Sequence, residues 1–184
     1  FIYAPPGDDG LRMSDGEHPL EAVHYFSRLS QRLISALTAL TSEGRLYEVD
    51  MRVRPSGTKG PIAAALEGFV QYHANAAWTW EHMALTRGRV IAGEGGLMDR
   101  VEGVIAEVLC RPRDRATIAL AVSEMRQRLV KGAGRGNVNP WELKLVRGGL
   151  LDIEFIAQFL QLAHGAEDGG VLAPNTALAL SNLA

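Results

Sequence analysis

The alternation in RLYEVDMRVRPSG, Arg45 to Gly57, constrains the fold more than any other feature of this chain. Successive side chains of a strand point to opposite faces, so Tyr47, Val49, Met51 and Val53 would line one side, with Glu48, Asp50, Arg52 and Arg54 on the other. The apolar side then needs a covering layer. The segment His18 to Thr41 supplies one: Pro19 suits a first helical turn, and Leu20, Val23, Tyr25 or Phe26, Leu29, Leu33, Leu37 and Leu40 recur at helical steps. A strand beside an amphipathic helix predicts a layered α+β arrangement. Pro55, Ser56 and Gly57 stop the strand in a turn and leave a carboxylate and two guanidiniums at its C-terminal end, where open sheets bind ligands.

Most of the remaining sequence has helical period. The expected helices are Leu66 to Ala76, Ala77 to Arg87, Leu97 to Leu109, Arg115 to Lys131 (with Ile118, Ala121, Met125 and Leu129 on one face), Leu151 to His164 and Asn175 to Ala184. Ala4 to Gly16 and Lys131 to Pro140 have the Pro, Gly, Asn and Asp content of loops, and Trp141 to Val146 reads as extended. The fold class is therefore α+β and predominantly helical. Pro112 breaks the helical pattern and marks the expected domain division, 1–112 before it and 113–184 after it.

A length of 184 residues with 47% hydrophobic content is enough for a real core. The net charge of −2 gives no electrostatic case for nucleic-acid binding or for an acidic membrane surface. No apolar run approaches the roughly 20 residues of a membrane span. A lone cysteine, Cys110, excludes an intramolecular disulfide framework and fits a reducing cytoplasm. No histidine pair has zinc-ligand spacing, and there is no P-loop.

Two clusters carry chemistry. Asp50 can hold a divalent cation and Arg52 and Arg54 can hold phosphate, a combination suited to phosphoryl or nucleotidyl transfer; the alternative is a solvated Asp50–Arg52 ion pair. Glu48 is a weaker ligand candidate one step deeper. The second cluster is Lys144, Gly148, Gly149, Asp152 and Glu154. A glycine pair opening a helix presents backbone N–H groups to an anion, with the lysine assisting, whereas the two acids are equally what a helix dipole favours. Trp78 and His82 share a helix face at i and i+4, and at least one of Trp78 and Trp80 is expected in the core.

YEVDMRVRPSG, LEGF at Leu66 to Phe69, AWTWEHMAL at Ala77 to Leu85, VLCRPRD at Val108 to Asp114, EMRQRL at Glu124 to Leu129 and GGLLDIEFIAQFLQLAH at Gly148 to His164 together resemble the glutamine-synthetase adenylyltransferase family. The motifs run in the family's order over nearly the whole chain. This resemblance implies an incomplete nucleotidyltransferase-type mixed sheet with packed helices, followed by the start of a helical domain. It implies a parent enzyme with two related halves: one transfers AMP from ATP to a tyrosine of glutamine synthetase, and the other removes it by phosphorolysis. The AWTWEH wording is similar to the adenylylating half.

Family members carry an Asp-x-Asp pair just before the strand end that here reads Phe1, Ile2, Tyr3, so the chain is expected to be an inactive fragment. Asp50 then corresponds to the third carboxylate of a Mg²⁺ site, with ATP as substrate. The implied partners are glutamine synthetase, the PII signalling protein and glutamine as effector. The alternatives are the deadenylylating half, or a noncatalytic module that binds glutamine synthetase or PII.

Overall fold

A computed structural model describes residues 1–4, 13–132 and 143–184. The sequence expectations for 5–12 and 133–142 lie outside the described residues. Seven α-helices and four two-residue strands among the described residues make the chain α+β and predominantly helical. The chain divides into two compact units, Phe1–Ala77 and Trp78–Ala184.

In the first unit, β1 (Ile2–Tyr3) pairs in parallel with β4 (Ala64–Ala65), the register placing Ile2 opposite Ala64 and Tyr3 opposite Ala65. Helix α2 (Leu66–Asn75) follows β4 directly and buries Leu66, Phe69 and His73. Helix α1 (Ala22–Thr38) meets this layer through Phe26, whose ring stacks on that of Tyr3 at 4.5 Å.

Helix α1 is shorter than its sequence period at both ends. At the start, Leu20 N–H donates to Ser14 Oγ and Met13 bridges to Glu21, so Pro19 lies in extended chain before the helix. At the end, Ala39 leaves helical geometry and Leu40–Thr41 (β2) turns back on Gly44–Arg45 (β3) as a small hairpin, with Gly44 at φ +98°.

The expected strand from Arg45 to Arg54 does not form beyond Arg45. A strand needs a ladder, and here local hydrogen bonds replace it: Asp50 Oδ1 accepts from the Arg52 N–H at 2.9 Å, which bends the backbone into a turn. Tyr47 and Val53, expected on the buried side, are 64% and 57% exposed. Val23, Leu29 and Leu33 of the expected α1 stripe are exposed as well.

The second unit is a helical bundle of α3 (Thr79–Leu85), α4 (Gly95–Leu109), α5 (Arg115–Gly132), α6 (Leu150–His164) and α7 (Thr176–Asn182). Its core is Met83, Leu109, Ile118 and Leu162, one from each of α3 to α6, with Ile105, Val122, Phe155, Phe159 and Leu172 packed around them. Side chains fix the helix starts. Glu81 reaches back to the Trp78 N–H at 2.8 Å, Asp114 accepts from the Thr117 N–H at 2.7 Å, and Asn175 caps α7 through the Leu178 N–H at 3.0 Å. The buried Gln161 is satisfied by donating to Ala157 O and accepting from the Ala173 N–H, which ties α6 to the segment before α7. Of the two tryptophans of α3's start, Trp78 is 70% exposed and Trp80 half-buried. No helix among the described residues is long and apolar enough to cross a membrane.

Candidate functional site

The first cluster sits on the irregular segment that replaces the strand. Asp50 and Arg52 form a bidentate pair: Arg52 Nε lies 3.0 and 2.9 Å from the two carboxylate oxygens, and Nη2 is 2.7 Å from Oδ2. Both side chains are exposed, at 54% and 81%. Hydrogen bonds from the Arg52 side chain, and next from its backbone N–H, lower the Asp50 carboxyl from its ordinary 3.8 to about 2. Asp50 is thus an ionised, solvent-facing oxygen donor at neutral pH, and an exposed ion pair of this kind is weak enough for a dication to displace the guanidinium.

Arg54 has a different task. Its Nη1 donates to Met51 O at 2.6 Å, its Nε to Gly60 O at 3.2 Å and its Nη2 to Thr58 O at 3.2 Å. The guanidinium closes the turn 51–60 around itself, with Gly57–Lys59 as a single 3₁₀ turn inside it. The donors expected to grip phosphate are engaged on backbone carbonyls. Glu48 is exposed, and without a strand the alternation that would align it with Asp50 is absent. Among the described residues no group of three or more His, Cys, Asp or Glu could hold a metal ion. The fit to Mg²⁺ is therefore that of a partial set, Asp50 supplying oxygen ligands that phosphate oxygens and further groups complete.

The second cluster lies in the second unit, on the turn leading into α6. Leu143 to Gly149 is not extended as expected; it folds into a compact knuckle. Gly148 takes φ +77°, and a Cβ on Gly149 would stand 2.4 Å from Leu143 O and 2.9 Å from Val146 O, so both positions demand glycine. The expected free amides are not free. Gly148 N–H donates to Asp152 Oδ2 at 2.7 Å, Gly149 N–H to Val146 O, Leu150 N–H to Leu143 O and Leu151 N–H to Lys144 O. The glycine pair serves the turn sterically, and Lys144 and Arg147 beside it are exposed.

Sequence reasoning missed Arg126. From α5 its Nε pairs with Asp152, and its Nη2 donates to Leu145 O at 3.0 Å and Val146 O at 3.4 Å. The Arg126 hydrogen bond, followed by that from Gly148 N–H, holds the Asp152 carboxyl below its ordinary range. A signal was present: Ile118, Val122 and Arg126 fall on one helical stripe, and an arginine on an apolar stripe asks for a partner. Glu154, the other acid of this segment, pairs with Arg87 at 2.8 Å.

Asp50 and Arg52 thus stand exposed on an irregular segment of the first unit, and the comparisons with known proteins show the family of the chain that carries them. The sequence model of glutamate-ammonia ligase adenylyltransferase matches residues 1–103, and that of GlnD PII-uridylyltransferase matches residues 117–184. The chain belongs to the glutamate-ammonia ligase adenylyltransferase family. Relatives named bifunctional glutamine synthetase adenylyltransferase/adenylyl-removing enzyme are 50% identical over 93% of the chain in Bradyrhizobium diazoefficiens, 51% over 95% in Rhodopseudomonas palustris strain TIE-1 and 48% over 96% in Agrobacterium fabrum. The chain spans only 17 to 18% of the length of these relatives.

Proposed function

We propose that this chain is part of the adenylylating half of an enzyme that transfers AMP from ATP to a tyrosine of glutamine synthetase. The observation that carries the reading is the near 50% identity, over more than nine tenths of the chain, to enzymes that bear this activity in their name. The AWTWEH wording at Ala77 to His82 supports the adenylylating half; the two family matches meet across residues 104–116, inside the compact unit Trp78–Ala184 and not at the division between units.

In this reaction the tyrosine hydroxyl attacks the α-phosphate, forms a phosphodiester, gives up its proton and expels pyrophosphate. Mg²⁺ supplies charge neutralisation on the phosphates when bound. Asp50 is the residue that would hold it, because its carboxylate is ionised and solvent-facing. Arg52, once displaced from Asp50, has a planar fork to offer a phosphate. Arg54 keeps the Met51 to Gly60 turn closed beside these two residues. Glutamine synthetase is the protein substrate, PII and glutamine are effectors of the complete enzyme, and the location is the cytoplasm.

The test is AMP transfer from labelled ATP to glutamine synthetase by the complete gene product. Asp50→Asn should lower the transfer rate on the order of a hundredfold while the thermal midpoint stays within a degree or two and phosphorolysis of adenylylated glutamine synthetase continues. Loss of phosphorolysis with transfer intact would assign the chain to the deadenylylating half. Retention of both activities would remove Asp50 from the site.

A further inference from the structure

Three backbone carbonyls of the first unit converge on the Arg54 guanidinium, and one of them leads directly to Asp50. Met51 O, which accepts from Arg54 Nη1, belongs to the same planar peptide group as the Arg52 N–H, and that N–H donates to Asp50 Oδ1. One peptide therefore carries Arg54 on its oxygen and Asp50 on its hydrogen. The grip is closed at the far side of the turn, where Gly60 O accepts from Arg54 Nε and Thr58 O from Nη2, while Gly57 N–H donates back to Arg54 O. Ser56, which is not a glycine, is held at φ +62°, a conformation that L residues adopt only where their surroundings impose it.

Resting on the reading that Asp50 holds Mg²⁺, we infer that Arg54 is a positioning residue, which sets the direction of the Asp50 carboxylate through the Met51–Arg52 peptide. It touches neither metal nor phosphate. Once the Arg52 guanidinium leaves Asp50, as metal binding requires, the carboxylate loses its three side-chain hydrogen bonds and keeps the one from the Arg52 N–H. Its direction then follows the plane of that peptide, and Arg54 holds the plane by its other end. A charged donor on the carbonyl also polarises the N–H and strengthens its bond to Oδ1. Misplacement of the carboxylate by about an ångström is enough to cost a large part of its contribution. Two arginines two residues apart thus have different tasks: Arg52 is exchanged for the cation, and Arg54 stays.

The test is a double-mutant cycle in the complete gene product that separates the turn from the charge. Arg54→Lys keeps the charge and loses the fork. Gly60→Ala keeps Arg54 and opens the same turn, because Gly60 has ordinary extended backbone at φ −82° but a Cβ there would run into Pro55 O. Each is expected to raise the free Mg²⁺ concentration that half-saturates AMP transfer about tenfold, to leave the Michaelis constant for ATP at saturating Mg²⁺ within about twofold, and to lower hydrogen-exchange protection of the Arg52 amide. The double variant should be no more than about twofold worse than the worse single, because both act through one turn. If Gly60→Ala does not fold, Gly57→Ala, which strains the turn at φ +54° without a clash, replaces it in the cycle. A raised Michaelis constant for ATP with unchanged Arg52 protection would return Arg54 to the phosphate. Multiplicative effects, or a lowered melting temperature with unchanged metal dependence, would likewise overturn the positioning role while leaving Asp50 in place. A silent Asp50→Asn would instead remove Asp50 from the proposed site, and the positioning role with it.

Discussion

The two units bury apolar surface very differently. In Trp78–Ala184, four helices each commit a buried side chain to one core, and the helix starts and crossings are closed by specific side chains. In Phe1–Ala77, the buried residues concentrate on Tyr3 and the Ala63 to His73 segment, while α1 contributes only Ser30 as a buried residue and leaves Val23, Leu29 and Leu33 about half exposed. Leu40, Leu46 and Tyr47 are more exposed still. The residues first in line for metal and phosphate chemistry, Asp50 and Arg52, lie on this less consolidated unit, where the chain is held by polar side chains instead of a core. If the proposed roles of Asp50 and Arg52 hold, the contrast is the expected one, because functional loops are drawn from the less stable end of a structure.

Truncating one leucine in each unit gives the largest expected difference. Leu162→Ala removes a side chain that is 1% exposed in the four-helix core and should destabilise the second unit by about 2–5 kcal/mol. Leu33→Ala removes one that is 45% exposed and should cost less than about 1 kcal/mol. Chemical denaturation of the 184-residue chain, with intrinsic fluorescence as one probe and helicity as the other, measures both. Equal losses would mean that the α1 stripe is covered in solution, and the contrast between the units would be lost.

A smaller effect separates a turn held by one side chain from a helix held by many. Arg54→Lys keeps the charge but cannot span Met51 O, Gly60 O and Thr58 O together, so the turn 51–60 should lose about 1–2 kcal/mol of local stability. Amide exchange of Gly57 and Gly60, whose N–H groups donate to Arg54 O and Gly57 O, reads it directly. Undiminished protection would show that the 3₁₀ turn holds itself and would release Arg54 for phosphate.

The same contrast explains what was legible in the sequence. Helical period placed α2, α4, α5 and α6 within a residue or two of where they lie, because a stripe of Leu, Ile, Val and Phe that must be buried leaves little freedom of phase. The strand failed because period two says only what a ladder would do if one formed, and Asp50 and Arg54 use their side chains on nearby backbone instead. For the glycine pair the residue type was read correctly and its reason was not: the need is steric, at Gly148 φ and Gly149 Cβ, and the amides are already used. The apolar stripe of α5 shows that Arg126 needs a partner but not which one, because Leu145 O, Val146 O and Asp152 are 19 to 26 residues away and no local pattern names them.

The finest distinction between the units lies in two carboxylates that are both paired with arginine. Asp50 titrates at about 2 in place of 3.8, mainly because the Arg52 side chain hydrogen-bonds its charged form; Asp152 is lowered by the Arg126 side chain and then by Gly148 N–H. A depressed folded-state pKa contributes stability that is present above the unfolded value near 3.8 and is lost as pH falls through about 2 at Asp50. Both tethers should therefore survive at about pH 5 and weaken in strong acid. Salt tells them apart. The Asp50–Arg52 pair is exposed on both sides and the Asp152–Arg126 pair is mostly buried. At about 1 M salt, where screening acts within roughly 3 Å, the Asp50 midpoint should rise toward 3.8, while that of Asp152 stays low. Carboxyl-carbon NMR titration at low and high salt measures both, with Arg52→Ala, which keeps the backbone N–H donor to Asp50, moving Asp50 only part of the way back to its ordinary value and hardly moving the melting temperature. An Asp50 midpoint near 3.8 in the unaltered chain at low salt would mean that the pair does not persist in solution, and that Arg52 needs no displacement to meet a phosphate.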